Sequence, residues 1–237
     1  MFSSHCRVIK RKLGRWTVYD YTGEFNPELY KYMRKMATLL PPTKNNSFLL
    51  DIESWYSITP VDLANKISQG VQKKYGGPVK VLDLFSGVGG NTVSFLNFGN
   101  TVHSIEIDYK KIRCLRHNIK ECTDRGESQI LHFSVYDPEV HSYLDRSYDV
   151  LMASPPWGGV DYKEDSDLAL FNKCRILELE KIYSDKVGLR IYMLPRTISN
   201  SVFSLLNSDF AIFNGTTDRN RVVAKIIAVG DISGFVI

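Results

Sequence analysis

From residue 79 onward, hydrophobic positions follow two alternating rhythms. Stretches of strand length rich in apolar residues cover Val79 to Phe85, Thr101 to Ile107, Gln129 to Val135, Tyr148 to Ala153 and Gly188 to Leu194. Between them, apolar residues recur every three or four positions, the period of a helix with one buried face. Those stretches run from Asn91 to about Phe98, from Tyr109 to about Thr123 (Ile112, Leu115, Ile119 and Cys122 on one side), and from Asp167 to Tyr183. A shorter helix is expected from Ser199 to Asn207. Strands alternating with helices predict an α/β fold, a mostly parallel sheet with helices on both faces. Phe210 to Asn214 and Arg221 to Val229 read as a closing hairpin that adds an antiparallel strand.

Upstream the pattern is different. Asn26-Pro27 has the residue types of a helix start, Asn at the N-cap and Pro at N1. That helix would carry Leu29, Tyr32, Met33 and Met36 to about Leu40, where Pro41-Pro42 ends it. Residues 1–25, with Trp16, Tyr19 and Tyr21 close together, read as a short extended segment. Thr59-Pro60 predicts a second start, again cap then proline, for a helix bearing Val61, Ala64, Ile67 and Val71 and stopping at Gly76-Gly77-Pro78. The expected organisation is a basic, mainly helical N-terminal extension over residues 1–55, contributing to a substrate site, and a core over 56–237.

A chain of 237 residues holds one sizeable core plus an appendage of this kind. No apolar run approaches a membrane span, and the basic first sixteen residues lack the apolar stretch of a signal peptide. Cys6, Cys114, Cys122 and Cys174 have no metal-ligand spacing, which predicts a reduced, intracellular protein without a zinc site. The formal charge of +4 is unevenly placed. Arg7, Lys10, Arg11, Lys12 and Arg15 crowd the start, and Lys31, Arg34 and Lys35 follow on the first helix. Such a region reads either as a solvated basic tail or as a phosphate-binding surface.

Two stretches carry candidate chemistry. In Ser154-Pro155-Pro156-Trp157-Gly158-Gly159, a buried strand runs into two prolines that have no N–H for a sheet ladder. Carbonyl acceptors at a strand end, beside a large aromatic face, can grip a flat heterocycle by its face and an attached NH2 by its protons. Taken alone, the hexapeptide reads equally as a strand-end turn with a core tryptophan. The second stretch is Asp83-Leu84-Phe85-Ser86-Gly87-Val88-Gly89-Gly90-Asn91, a glycine loop between a strand and a helix. Asp83 precedes the loop, where it would repel a pyrophosphate, and Glu106 ends the next strand, where a ribose diol would lie. Asp108 is a second candidate for the ribose. Two carboxylates favour a nucleoside with a cationic amino-acid tail, as in S-adenosylmethionine. Ligands of open α/β sheets bind at the carboxyl ends of strands, at the point where strand order reverses. The two stretches are expected to meet there.

The longer strings, taken in order, resemble a known family. They are Trp55-Tyr56-Ser57-Ile58-Thr59-Pro60, the loop from Asp83 to Thr92, Ser154-Pro155-Pro156-Trp157-Gly158-Gly159 with Asp161-Tyr162, and Leu194-Pro195-Arg196. Together they resemble the catalytic domain of the trimethylguanosine synthases. That resemblance runs from about Lys31 to the C-terminus. It implies a Rossmann-like class I methyltransferase fold and two methyl transfers from S-adenosylmethionine to N2 of a 7-methylguanosine RNA cap, leaving S-adenosylhomocysteine. It implies donor contacts at Thr59, Asp83, Asn91 and Glu106, around the loop residues Phe85, Gly87 and Gly89. It implies cap contacts at Asn118, Ser154 and Trp157, with Pro155 beside them, and phosphate-side contacts at Lys31, Tyr162 and Arg196. Val160 stands where the family has proline, and Glu106 where it has aspartate. With this reading go expectations of a monomer, no metal, no membrane partner, and a nuclear or nucleolar location with the cytoplasm as second choice. A methyltransferase acting on an internal RNA or DNA base and a non-catalytic cap-binding module are the competing classes. No strong general base stands out; His117 and His132 are candidates by residue type alone.

Overall fold

The computed structural model describes residues 9–13, 16–20, 32, 35–45, 47–144, 148–158 and 165–237. Three short antiparallel strands, β1 (Ile9–Leu13), β2 (Trp16–Asp20) and β3 (Leu49–Leu50), form a small sheet in the order β1-β2-β3. Within the extended segment expected over residues 1–25, the described residues are two paired strands, with Leu13 opposite Trp16. The helix expected from Asn26 lies mostly outside the described residues, as does Lys31; its described end is α1 (Met36–Leu39), before Pro41. A one-turn helix α2 (Ser54–Ser57) leads to α3 (Val61–Tyr75).

Thr59 does not cap α3 as expected. Pro60 itself occupies the N-cap, with ψ 137, and the helix begins one residue later. Thr59 is buried, and its hydroxyl donates to the Met193 sulfur at 3.6 Å. The far end matches expectation: Gly76 takes φ 74, a left-handed conformation open to glycine at no steric cost.

The main sheet has seven strands: β4 (Lys80–Leu84), β5 (Thr101–Ile105), β6 (Glu127–Leu131), β7 (Tyr148–Ala153), β8 (Val187–Pro195), β9 (Phe210–Thr216) and β10 (Val222–Gly230). Their order is β6-β5-β4-β7-β8-β10-β9. The first five are mutually parallel, and β10 runs antiparallel between β8 and β9. Strand order reverses between β4 and β7, the neighbours expected at the switch point. Alternation sorts the side chains into two cores. Leu82, Leu84, Leu151, Tyr192 and Ile227 pack on one face, and Val81, Val150, Met152, Ile191 and Ile226 on the other.

Helices cover both faces: α4 (Gly90–Asn97), α5 (Tyr109–Cys122), α6 (Pro138–Tyr143), α7 (Asp167–Lys173), α8 (Ile176–Tyr183) and a 3₁₀ turn at Asn200–Leu205. The single helix expected over 167–183 is two. Arg175 breaks it with φ 50, its guanidinium 3.6 Å from the Tyr136 ring centroid and paired with both Glu178 oxygens at 2.6 Å. A third cluster joins the extension to the core. Met36, Phe48, Leu49, Leu50, Trp55 and Ile58 pack with Val88 of the glycine loop and Cys114 of α5. Cys114, Cys122 and Cys174 are free thiols. Among the described residues, no helix is long and apolar enough to cross a membrane, and no three His, Cys, Asp or Glu side chains group as metal ligands.

Candidate active site

The loop after β4 is held in a shape that few residues tolerate. Phe85 takes φ 57, Gly87 φ 54 and Gly89 φ 102, so the chain turns sharply before α4. A Cβ at Gly89 would lie 2.6 Å from Leu115 of α5, and one at Gly90 2.8 Å from Ile58, just before α3. Ser86 and Gly87 tie the loop to the neighbouring strand end: Ser86 donates to the Ile105 carbonyl through N–H (3.1 Å) and Oγ (3.2 Å), and Gly87 N–H donates to Glu106 at 2.8 Å. Glu106 also accepts from the N–H groups of Ile107 and Asp108, at 2.9 and 2.8 Å. Asp108, the second candidate for a ribose, is the α5 N-cap, accepting from Lys110 N–H at 2.8 Å.

Asp83 is fully buried. Thr92 donates to its Oδ2 at 2.5 Å, and Ser104 lies 2.9 Å from Thr92 Oγ1. Because the one Thr92 proton goes to the carboxylate, Ser104 must donate to Thr92. The other carboxylate oxygen, Oδ1, is buried without a hydrogen-bond partner among the described residues, and so is Asn91 Oδ1 in the first turn of α4. Burial, reinforced by the Glu106 charge, pushes the Asp83 carboxyl up to about 7 despite the Thr92 hydrogen bond. Two unpaired buried acceptors at a glycine loop suit a cationic ligand that donates hydrogen bonds. The ammonium of S-adenosylmethionine fits that requirement, and Glu106 at the end of β5 fits a ribose.

The second stretch ends β7. Leu84 lies opposite Ala153, and Ala153 opposite Tyr192, so Phe85, Ser154 and Met193 are next to one another along the carboxyl rim. Beyond Ser154, Pro155 is buried and Pro156 exposed. Trp157 is half-buried, its ring packed against both sheet cores and its indole N–H donating to the Met193 carbonyl at 3.2 Å. Met193 accepts from Thr59 at its sulfur and from Trp157 at its carbonyl, joining the glycine-loop side to the Ser-Pro-Pro-Trp side. Gly158 turns with φ 92 beside Lys173, which pairs with Asp165 at 2.6 Å. Arg196 follows β8 and is exposed.

Asn118 has a different place from the expected cap contact. It is fully buried on α5, donates to the carbonyls of Leu49 (2.9 Å) and Val88 (2.8 Å), and accepts from Leu49 N–H at 2.7 Å. With both amide protons and its oxygen engaged, it clamps β3 and the glycine loop to α5. Lys31 and Tyr162 lie outside the described residues. His117 Nε2 lies 2.9 Å from Ser47 Oγ, and His132 Nε2 donates to the Ile107 carbonyl at 2.9 Å. Met193 and the Lys173–Asp165 pair had no sequence signal. Strand register alone brings a methionine carbonyl under the tryptophan.

A parallel sheet with this strand order, a glycine loop and an acid at the ends of its first two parallel strands (β4 and β5) defines a Rossmann-like class I methyltransferase fold. The chain belongs to the RNA cap guanine-N2 methyltransferase family, whose model matches residues 79–214. It is 36% identical over 116 residues to the trimethylguanosine synthase of Schizosaccharomyces pombe, covering 48% of this chain and 47% of the relative. It is 25% identical over 175 residues to the trimethylguanosine synthase of Saccharomyces cerevisiae, covering 72% and 56%. The chain therefore spans about half the length of the curated relatives it matches. A solved hypothetical protein of Thermus thermophilus shares the fold, with TM-score 0.50 and 19% identity over 73% of this chain and 86% of that one.

Proposed function

We propose that this chain methylates N2 of a 7-methylguanosine RNA cap, twice, to give 2,2,7-trimethylguanosine. The observation that carries the reading is the pairing of two half-sites on neighbouring strands at the switch point. One holds unpaired, buried acceptors at Asp83 and Asn91, and the other holds Trp157 beside Ser154 and Pro155. S-adenosylmethionine supplies the methyl group, and Asp83, Asn91 and Glu106 are the residues that would hold it.

The chain's own residues do the rest by positioning, which accounts for much of the rate in a direct displacement. A 7-methylated guanine is cationic, so stacking on Trp157 gains about 0.5–2 kcal/mol that an unmethylated guanine lacks. The Met193 carbonyl holds the indole N–H and so fixes the plane of that ring. Ser154 Oγ and the Pro155 carbonyl accept from the N2 protons and aim the nitrogen lone pair. Arg196 and Lys31 meet the cap phosphates. The displaced proton leaves to solvent.

The test is mass measurement of a 7-methylguanosine cap dinucleotide after incubation with donor. The product should gain one and then two methyl groups. Methylation of uncapped oligonucleotides at an equal rate would replace this reading with a general exocyclic-amine methyltransferase. Cap binding without donor binding would replace it with a cap-binding module.

A further inference from the structure

Helix α5 presents a line of cations that nothing in the site uses. Arg113, Arg116 and Lys120 are all exposed, and their spacing of three and four residues puts them on one stripe. Along the axis they are separated by about 4.5 and 6 Å. Among the described residues no carboxylate pairs with any of them. Nearby acids are occupied: Asp108 caps the helix, Glu121 accepts from Asn45 at 3.0 Å, Asp124 holds Lys44 at 2.5 Å and Glu53 holds Lys111 at 2.7 Å.

The stripe is also joined to the site. Helix α5 starts at the carboxyl rim, just after Glu106, and Asn118 clamps it to both the glycine loop and β3. Through β3 it adjoins the small sheet whose outer strand, Ile9–Leu13, reads Ile-Lys-Arg-Lys-Leu. A solvated helix face of this length normally mixes signs; this one has its acids turned to other work.

We propose that the outer face of α5 is a track for the phosphates of the RNA body downstream of the cap. The inference rests on the cap-methyltransferase reading and adds a second, sequence-independent contact to it. Phosphate contacts of this kind position a strand without reading its bases.

The experiment compares a cap dinucleotide with a short capped oligoribonucleotide, in wild type and in the combined variant Arg113→Gln, Arg116→Gln, Lys120→Gln, across a range of salt. The variant should methylate the dinucleotide as wild type does. For the oligoribonucleotide, the slope of log affinity against log salt should fall by about 2, since each single-strand phosphate contact contributes ~0.7. A fourfold rise in salt would then cost wild type ~20-fold more affinity than the variant. A charge-keeping variant, Arg113→Lys with Arg116→Lys, should retain the wild-type slope. If wild type binds the oligoribonucleotide no more tightly than the dinucleotide, or the glutamine variant keeps the full slope, the track does not exist. Equal losses on both substrates would assign these residues to the fold and overturn the proposal. If wild type methylates neither substrate, the cap-methyltransferase reading fails first.

Discussion

Replacing Asp83 by asparagine should stabilise the ligand-free protein at alkaline pH while weakening donor binding. The carboxyl is fully buried, faces no cation among the described residues, and titrates near 7 against 3.8 for an unfolded chain. Between those values the folded state binds more protons than the unfolded one, so stability falls as pH rises through the window and is lowest above about 7. The full penalty is about 4 kcal/mol, of which about 2–3 kcal/mol develops between pH 5 and pH 8. Asparagine has no charge to bury, but its NH2 would take the place of the unpaired Oδ1 at a cost of about 1–3 kcal/mol. At pH 8 the variant should therefore be more stable than wild type by roughly 1–3 kcal/mol. At pH 5 that advantage should be gone.

For a chain of this length, a relative swing of that size moves the melting midpoint by roughly 5–10 °C. Thermal melts of ligand-free protein at both pH values read it directly. Calorimetric titration reads the other arm. Losing a buried charge partner should weaken S-adenosylmethionine by about 2 kcal/mol or more, at least ~30-fold. Wild-type affinity should also fall below pH 7, towards a limit of tenfold per pH unit, because Asp83 must shed its proton to serve as counter-ion. A stability difference that does not change with pH, or donor affinity unchanged in Asp83→Asn, would refute the reasoning.

Three further substitutions separate site from scaffold. Trp157→Phe should keep the fold, lose about 1 kcal/mol with the bond to Met193, and narrow the preference for 7-methylated caps from at most ~30-fold, read as initial rates on matched caps. Arg196→Ala should leave stability within about 0.5 kcal/mol of wild type, since the residue is exposed. It should raise KM for capped RNA and lower its salt slope by ~0.7, with little effect on the bare nucleoside. Asn118→Ala should cost roughly 2–4 kcal/mol in denaturant melts by stranding backbone groups of Leu49 and Val88. Its KM ratio for 7-methylated over unmethylated caps should stay that of wild type; a changed ratio would restore Asn118 as a cap contact.

Much of this arrangement was legible because parallel strands in a covered sheet must be apolar on both sides. β4 and β7 therefore stood out as runs, and the polar interruptions at their ends marked the site. What was missed follows from contacts distant in sequence or from signals passed over. The Arg175 break depends on Tyr136, thirty-nine positions earlier, which no periodicity contains. Thr59 has the residue type of a cap, but Pro60 takes the N-cap position, and the Thr59 hydroxyl donates to a methionine sulfur on β8. Two signals were present and unread. Asp137-Pro138-Glu139 is a helix start, and Asp137 does cap α6 by accepting from Glu139 N–H at 2.9 Å. Gly14-Arg15 has the residue types of a two-residue hairpin connection, and the strands on either side of it, β1 and β2, pair with Leu13 opposite Trp16.

Hydrogen-bond satisfaction separates the candidate site from the scaffold that carries it. On β8, Arg190 is nearly as buried as Asp83 is on β4, yet it is fully engaged. It meets both Glu180 oxygens at 2.8 and 2.9 Å and the Val187 and Gly188 carbonyls at 2.9 and 3.1 Å, while Tyr192 donates to Glu180 at 2.5 Å. Removing one member of such a network costs about 3–5 kcal/mol and offers a ligand nothing. Four buried polar atoms lack a hydrogen-bond partner among the described residues. Asp51 Oδ2 faces the Lys110 ammonium at 3.0 Å, and Trp55 Nε1 lies in the extension. The other two, Asp83 Oδ1 and Asn91 Oδ1, both flank the glycine loop. A fold that satisfies Arg190 so completely a few strands away has left these two open at a cost in stability, and a bound cation would recover it.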